Sequence, residues 1–537
     1  MLGTRRDLLR ATAGFALSTC VSCTSESKSA AGQTANPGPF RLQLRLPVEK
    51  GLIARWSANQ SIVVAREGRV RSISDVSEKG FVASDEGSGL GPHLVRYPNG
   101  MQALRFNQDA FLSANTPPLD PIASTVIVVL RDHNTRATHK TIVSSGKRSV
   151  AGGAKLAFLS NAVAGEAPFV GRAGTCTDPM LCPHLLLGCQ LQVAGWRNGP
   201  LGNPRAGRDS TTGQRCGVNR KAATVPNRRG ALVAGLEIGR DSAVATPPSI
   251  PTIPQISSGS WYSGDILDVI VYDRALKDVE FDAVMAAVAD AYRIPEITDQ
   301  FVLEGDSRIC GVPPTSTCDN PGMMLTEPGA PHALPASVRM INYAAGGSST
   351  VTLRARLSLP PVTAGLCQRI PGGINRLAFM CGHNDLSRPD IRPLTDRSSA
   401  IYRDLVRVIS DDRQPSYTSL GWEVTLLVEM HDNIEPFING GNGYTSYRAL
   451  QRSLAGNDLA KDTQTARGQK YESMLRVLDI ARIRRTGRTV FDTRADTANP
   501  LFYRPDRLHE TPDGMKLLVT GGDTPQFGLR SVWRELS

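Results

Sequence analysis

The stretch Phe301-Val302-Leu303-Glu304-Gly305-Asp306-Ser307 decides how the second half of the chain is read. An apolar run of strand length ends in a glycine and a short polar residue, which together permit a tight backbone turn. Ser307 therefore stands at a strand-to-loop corner, where its hydroxyl can point into a cleft. After Pro295 the same rhythm recurs: Phe301–Glu304, Met340–Tyr343, Leu377–Cys381, Val424–Glu429 and Thr489–Asp492 read as strands, while Ser398–Ser410 and Tyr471–Arg485 carry helix periodicity. Alternation of this kind predicts an α/β domain with a parallel sheet, right-handed crossovers and helices on both faces. Ligands of such sheets bind beyond the carboxyl ends of the strands.

Three further blocks fall at those ends. Asn342-Tyr343-Ala344-Ala345-Gly346-Gly347 closes a strand with a glycine-rich turn, and Gly347 can aim its amide at a developing oxyanion. Gly382-His383-Asn384-Asp385 follows the next strand, and Asn384 can donate its side-chain N–H to the same oxygen. His383, beside that donor, is given a lining role. Asp506-Arg507-Leu508-His509 places a carboxylate three residues before a histidine, just ahead of a helix from about Thr511. That spacing lets Asp506 hold Nδ1–H of His509 so that Nε2 can take a proton from Ser307. Each block alone is weak; Ser307, for instance, taken by itself reads first as a helix N-cap. Jointly they supply a nucleophile, two oxyanion donors, a base and its orienting carboxylate, the parts required for acyl transfer through a covalent ester. His431-Asp432 is a poorer base pair, because adjacent residues do not face each other.

In order and spacing these blocks resemble the SGNH hydrolases, also called GDSL-type esterases and lipases, over about 240 residues. The resemblance implies a three-layer flavodoxin-like fold over 298–537, with catalytic Ser307, Asp506 and His509 and an oxyanion hole formed by Ser307, Gly347 and Asn384. It also implies hydrolysis of carboxylic esters, commonly acetyl groups on polysaccharide, lipid esters or thioesters, with no metal and no cofactor. Two departures stand out. Arg308 replaces the usual leucine after the serine and would alter the charge of the cleft, and Ala344 replaces a common Gly or Ser.

From about Leu42 to Ile294 the pattern differs: short alternating apolar segments such as Gly68–Ile73, Leu104–Phe106, Thr125–Leu130 and Ile266–Tyr272 are separated by Gly, Pro, Asn and Ser turns. This predicts an all-β antiparallel sandwich or jelly roll over 41–295, closed by one helix, Asp278 to Tyr292. Trp56, Gly68-Arg69-Val70, Ala103-Leu104-Arg105-Phe106 and above all Gly264-Asp265-Ile266-Leu267-Asp268-Val269-Ile270-Val271-Tyr272 resemble the laminin G-like, concanavalin A-like jelly rolls found beside bacterial enzymes. Asp268 stands where that pattern usually carries glutamate, and the 160–230 insertion has no counterpart in it. Domains of this class often bind carbohydrate. Trp56, Trp196 and Trp261 lie in this half, but Trp56 and Trp261 read first as core residues.

At 537 residues the chain is too long for one core, and its 40% hydrophobic and 21% charged composition is that of an ordinary globular protein. No apolar run approaches the roughly 20 residues that span a bilayer. The balance of 61 basic and 50 acidic residues gives +11, yet the arginines are scattered without interleaved aromatics, which argues against a nucleic-acid partner. Residues 1–23, with Arg5-Arg6 ahead of a mildly apolar run, resemble a twin-arginine export leader, and 24–40 read as a flexible linker. Export to the periplasm, the medium or the cell surface follows.

Cys20 and Cys23 fall where a lipoprotein signal places its acylated cysteine, which would give the only membrane attachment expected. Their flanks match imperfectly: Thr19 precedes Cys20, and Cys20 stands where Cys23 would need an aliphatic residue. In an oxidising compartment Cys310 with Cys318 and Cys367 with Cys381 are candidate disulfides, as are pairings within Cys176, Cys182, Cys189 and Cys216. A zinc site in that cluster is the weaker reading, since His184 is the only histidine near it.

These readings combine into an exported serine esterase that removes acetyl groups from a glycan held by its β-domain. A non-catalytic glycan-binding protein, and a lipid or thioester hydrolase with the β-domain as spacer, remain the alternatives.

Overall fold

The computed structural model describes residues 40–61, 63–107, 110–117, 119, 123–132, 140–145, 156–161, 169–171, 188–198, 214–219, 221–225, 236–238, 262–310, 320–344, 347–357, 369–381, 384–387, 400–409, 416–428, 475–492, 494–505 and 509–534. The leader, Cys20, Cys23 and all but the end of the 24–40 linker lie outside these residues, as do His383, His431, Asp506, Trp261, Cys176 and Cys182. Among the described residues no helix is long and apolar enough to cross a membrane.

The first half is antiparallel and β-rich: among the described residues it forms a large curled sheet of sixteen strands. Its centre is the strand Ser263–Tyr272, buried at every position, which carries most of the stretch that resembles a jelly roll. This strand pairs antiparallel with Leu52–Ser57, Gln102–Asn107 and Ser124–Asp132, so the beginning, middle and end of the domain meet on it. Burial on both faces explains why apolar residues follow one another from Val269 to Tyr272, with no polar position between them.

The helix Asp278–Ala291 lays Phe281, Val284, Met285 and Val288 against this sheet. It approaches so closely at Gly195 that a Cβ there would lie 2.5 Å from Met285 Sδ. Asp268 is fully buried and accepts from Arg55 Nη2 at 2.7 Å and from the Tyr292 hydroxyl at 3.0 Å. A carboxylate in that interior is tolerable because it is both paired and hydrogen-bonded. Trp56 and Trp196 are core residues, each 2% exposed, and so offer no open ring face to a sugar.

From residue 299 onward the described residues form a five-stranded parallel sheet in the order Val338–Asn342, Asp299–Gly305, Asn375–Met380, Glu423–Val428, Leu475–Asp479. Four of the expected strands appear within a residue or two of their sequence positions. The fifth expectation fails: Leu475–Asp479 is a strand, not part of a helix over Tyr471–Arg485. Thr489 instead closes a two-residue strand, Arg488–Thr489, that pairs with Arg484–Arg485. The run Leu475-Arg476-Val477-Leu478 satisfies both periods, and in so short an apolar stretch the pattern alone cannot choose between them. The expected helix near 398–410 is Ala400–Ile409, and the one after Thr511 is Pro512–Thr520.

Cys189 and Cys381 are buried. Cys318, Cys367 and the Cys310 side chain lie outside the described residues, so the two candidate pairings in this half fall wholly or partly there.

Candidate active site

Ser307 follows the strand Asp299–Gly305, which lies between Val338–Asn342 and Asn375–Met380. The other two glycine-rich blocks leave the carboxyl ends of those neighbouring strands, so topology sets three of the four blocks side by side at one rim of the sheet. Gly305 makes the corner possible. Its φ is +147°, and a Cβ there would sit 1.9 Å from the Met380 carbonyl oxygen of the adjacent strand. Only glycine occupies that backbone region readily. Gly305→Ala is therefore expected to lower the stability of this half by about 3 kcal/mol through strain and overpacking, read as a fall in the urea midpoint. An unchanged midpoint would show that the corner is not the constraint it looks to be.

The fourth block reaches Ser307 from far along the chain. His509 Nε2 lies 2.8 Å from Ser307 Oγ, across 202 residues of sequence. Both residues are half-buried, open enough for a substrate to reach them. The loop that presents the histidine is braced on each side: Arg504 N–H donates to the His509 carbonyl at 2.8 Å, and Thr511 caps the helix Pro512–Thr520 with its hydroxyl accepting from Gly514 N–H. Asp506, the expected orienter, lies outside the described residues.

The second and third blocks are locked together. Asn384 donates through Nδ2 to the Ser348 carbonyl at 2.9 Å, beside Gly347. Asp385, fully buried, accepts from Thr350 N–H at 2.9 Å and from the Thr350 hydroxyl at 2.6 Å. Gly347 itself is exposed, with φ +75°, a left-handed turn that glycine makes without strain. Asn342, at the end of its strand, donates to the Ile309 carbonyl at 3.1 Å in the short helix Ser307–Cys310, and its Oδ1 accepts from Ala344 N–H at 3.2 Å. A direct bond thus joins the first block to the fourth, while the second block bonds to the helix that follows the first, and the third bonds to the residues that follow the second.

Sequence reasoning missed two members of this assembly. Asp385 carries no role in the sequence pattern beyond adjoining Asn384, yet it fixes the turn holding Gly347 to the loop holding Asn384. Arg308 was expected to charge the cleft, but its side chain is 1% exposed and turns inward to pair with Asp306. A departure from the family pattern at that position was the only available signal, and it did not say where the guanidinium would go.

No family model matches the chain, and no curated protein matches it. Among solved structures it is similar to a member of the lipolytic protein G-D-S-L family from Veillonella parvula, at 16% identity over 41% of this chain and 92% of that one, with a TM-score of 0.27. It is also similar to Trypanosoma rangeli sialidase, at 11% identity over 46% of this chain and 34% of that one, TM-score 0.27. A third likeness is to domain 4 of a GH43 extracellular arabinanase from Geobacillus stearothermophilus, in complex with arabinotriose, at 11% identity over 43% of this chain and 98% of that one, TM-score 0.28. At these TM-scores the likenesses carry no argument about chemistry, which rests on the geometry above.

Proposed function

We propose that this chain is a serine hydrolase of carboxylic esters, working through a Ser307–His509 pair. The observation that carries the reading is the 2.8 Å approach of His509 Nε2 to Ser307 Oγ at the carboxyl rim of a parallel sheet. A hydroxyl is a weak nucleophile unless a base stands within hydrogen-bond reach to take its proton. In this reading Ser307 Oγ attacks the acyl carbon while its proton passes to His509 Nε2. Asp506 is the proposed partner of Nδ1, stabilising the imidazolium that forms.

Negative charge then develops on the former carbonyl oxygen. The Ser307 and Gly347 backbone N–H groups and the Asn384 side chain are the proposed donors to it, each worth about 3 kcal/mol of barrier. The Asn384 amide carries two N–H bonds, so holding Ser348 with one is compatible with aiming the other at the substrate. His509 next returns its proton to the leaving alcohol, and water activated by the same nitrogen cleaves the acyl-enzyme. The chemistry calls for no metal and no organic cofactor.

The proposed substrate is an O-acetylated glycan. Support for that choice comes from the jelly-roll resemblance of residues 264–272 and from the β-rich domain packed against the edge of the parallel sheet, which would raise the local substrate concentration if it bound the polymer. The twin-arginine-like leader supports an exported location. The purified protein is expected to hydrolyse p-nitrophenyl acetate, with activity falling as the acyl chain lengthens. Absence of hydrolysis on every ester in the series would overturn the enzyme reading, whereas a preference for long chains would move the substrate to lipid.

A further inference from the structure

Arg131 belongs to the β-rich domain, at the end of the strand Ser124–Asp132, yet its guanidinium also reaches out of that domain. It is 1% exposed. Nε donates to the Cys189 carbonyl at 3.1 Å, Nη1 lies 3.5 Å from Asp265, and the group sits over the Tyr97 ring. Nη2 crosses into the hydrolase half, donating to the Met323 carbonyl and to the Thr326 hydroxyl, the latter at 3.0 Å. The Thr326 oxygen in turn lies 2.9 Å from the Cys189 carbonyl and 2.8 Å from that of Gly322, either of which can accept its proton.

Those contacts continue toward the site. The helix Pro321–Leu325 is capped by Asn320, whose Oδ1 accepts from Gly322 N–H at 2.9 Å and from Asn342 Nδ2 at 3.1 Å. Asn342 is the residue that bonds both Ile309, behind Ser307, and Ala344, at the start of the Gly347 turn. A second strap runs alongside. Cys189 N–H donates to the Met340 carbonyl at 2.7 Å, and Met340 N–H donates to Gln190 Oε1 at 3.0 Å, so the β-domain covers the outer edge of the strand that leads to Asn342. The fit is close: a Cβ on Gly322 would lie 2.8 Å from Cys189 Sγ.

We infer that the β-rich domain is a working part of the active site, with Arg131 and Thr326 as positioning residues that hold Asn342, and through it the Ser307 helix and the Gly347 turn. The inference rests on the proposed esterase reading and goes beyond it, because it makes the first domain something other than a tether or sugar module. A shift of about 1 Å in catalytic groups is enough to lower a rate by ~10²-fold. Loss of alignment at an oxyanion donor is felt in the transition state more than in the bound ester, so kcat should fall while KM stays.

The test uses the full chain. Thr326→Val keeps the side-chain shape and removes the hydroxyl. It is expected to lower kcat on p-nitrophenyl acetate by ~10-fold with KM within about 2-fold, and to speed amide hydrogen exchange over residues 342–350. Thr326→Ser should restore both, and Arg131→Met should reproduce the Val result by a separate route. Parent-like kcat or parent-like exchange in a folded Thr326→Val protein overturns the inference, as does a Ser variant as impaired as Val. If the parent hydrolyses no ester, the functional reading falls on its own. Exchange over 342–350 would still decide whether the two halves are coupled.

Discussion

Ser307→Ala should reduce kcat/KM on p-nitrophenyl acetate by about 10⁴-fold, and His509→Ala by a similar factor. The reason is geometric: the two side chains meet at 2.8 Å and serve one proton transfer. Losing either leaves only oxyanion binding and substrate positioning to act on water. Because they act as a unit, the double variant should be scarcely worse than either single one, and its losses should not multiply. His431→Ala provides the control and should keep most of the activity, since no part in the proposed proton path is given to it. Thermal melting of each variant separates lost chemistry from lost folding. If Ser307→Ala kept a tenth of the parent rate, the hydrolysis would have to come from elsewhere in the protein.

What could be read from the chain follows from which properties are local. The strands Asp299–Gly305 and Asn375–Met380 were legible because each holds an unbroken apolar run, Phe301 to Leu303 and Leu377 to Met380, as a strand covered on both faces does. Leu475–Asp479 was not, because its three apolar residues, Leu475, Val477 and Leu478, fit helix and strand equally well and only its pairing with Glu423–Val428 decides the matter. Ser307 and His509 were legible as residue types beside recognisable turns. Their approach to each other depends on the whole sheet closing and could only be expected.

Side-chain partnerships were hidden for the same reason. Asp385 and Thr350 are 35 residues apart, and Arg131 and Thr326 are 195 apart. No spacing rule links such pairs, which exist only once strand register and domain packing are set. The long insertion between 160 and 230 resembles nothing that would have pointed to Cys189 and Gln190, yet these two residues close the outer edge of the parallel sheet.

Arg308→Leu, which installs the residue expected at this place in the motif, should destabilise the protein by about 3–5 kcal/mol. Arg308 and Asp306 flank Ser307, and both side chains are 1% exposed. Nε donates to Asp306 Oδ1 at 3.1 Å and Nη2 to Oδ2 at 2.9 Å, while Arg308 N–H also reaches Oδ1 at 3.1 Å. Leucine would fill much of the space but would remove the guanidinium from beside a carboxylate that water does not reach. Replacing a buried pair by apolar groups can be nearly neutral, whereas removing one partner is not.

The double variant Arg308→Leu with Asp306→Asn should therefore regain a good part of the loss, because the remaining amide carries no charge to desolvate. Urea midpoints of parent, single and double variants provide the measurement. Recovery in the double variant locates the cost in the stranded charge, and a double variant as unstable as Arg308→Leu would locate it in packing instead. Since the pair holds the backbone on either side of the nucleophile, the Arg308→Leu protein should also lose activity below its melting point, and a stable but inactive variant would still mark the pair as part of what aims Ser307.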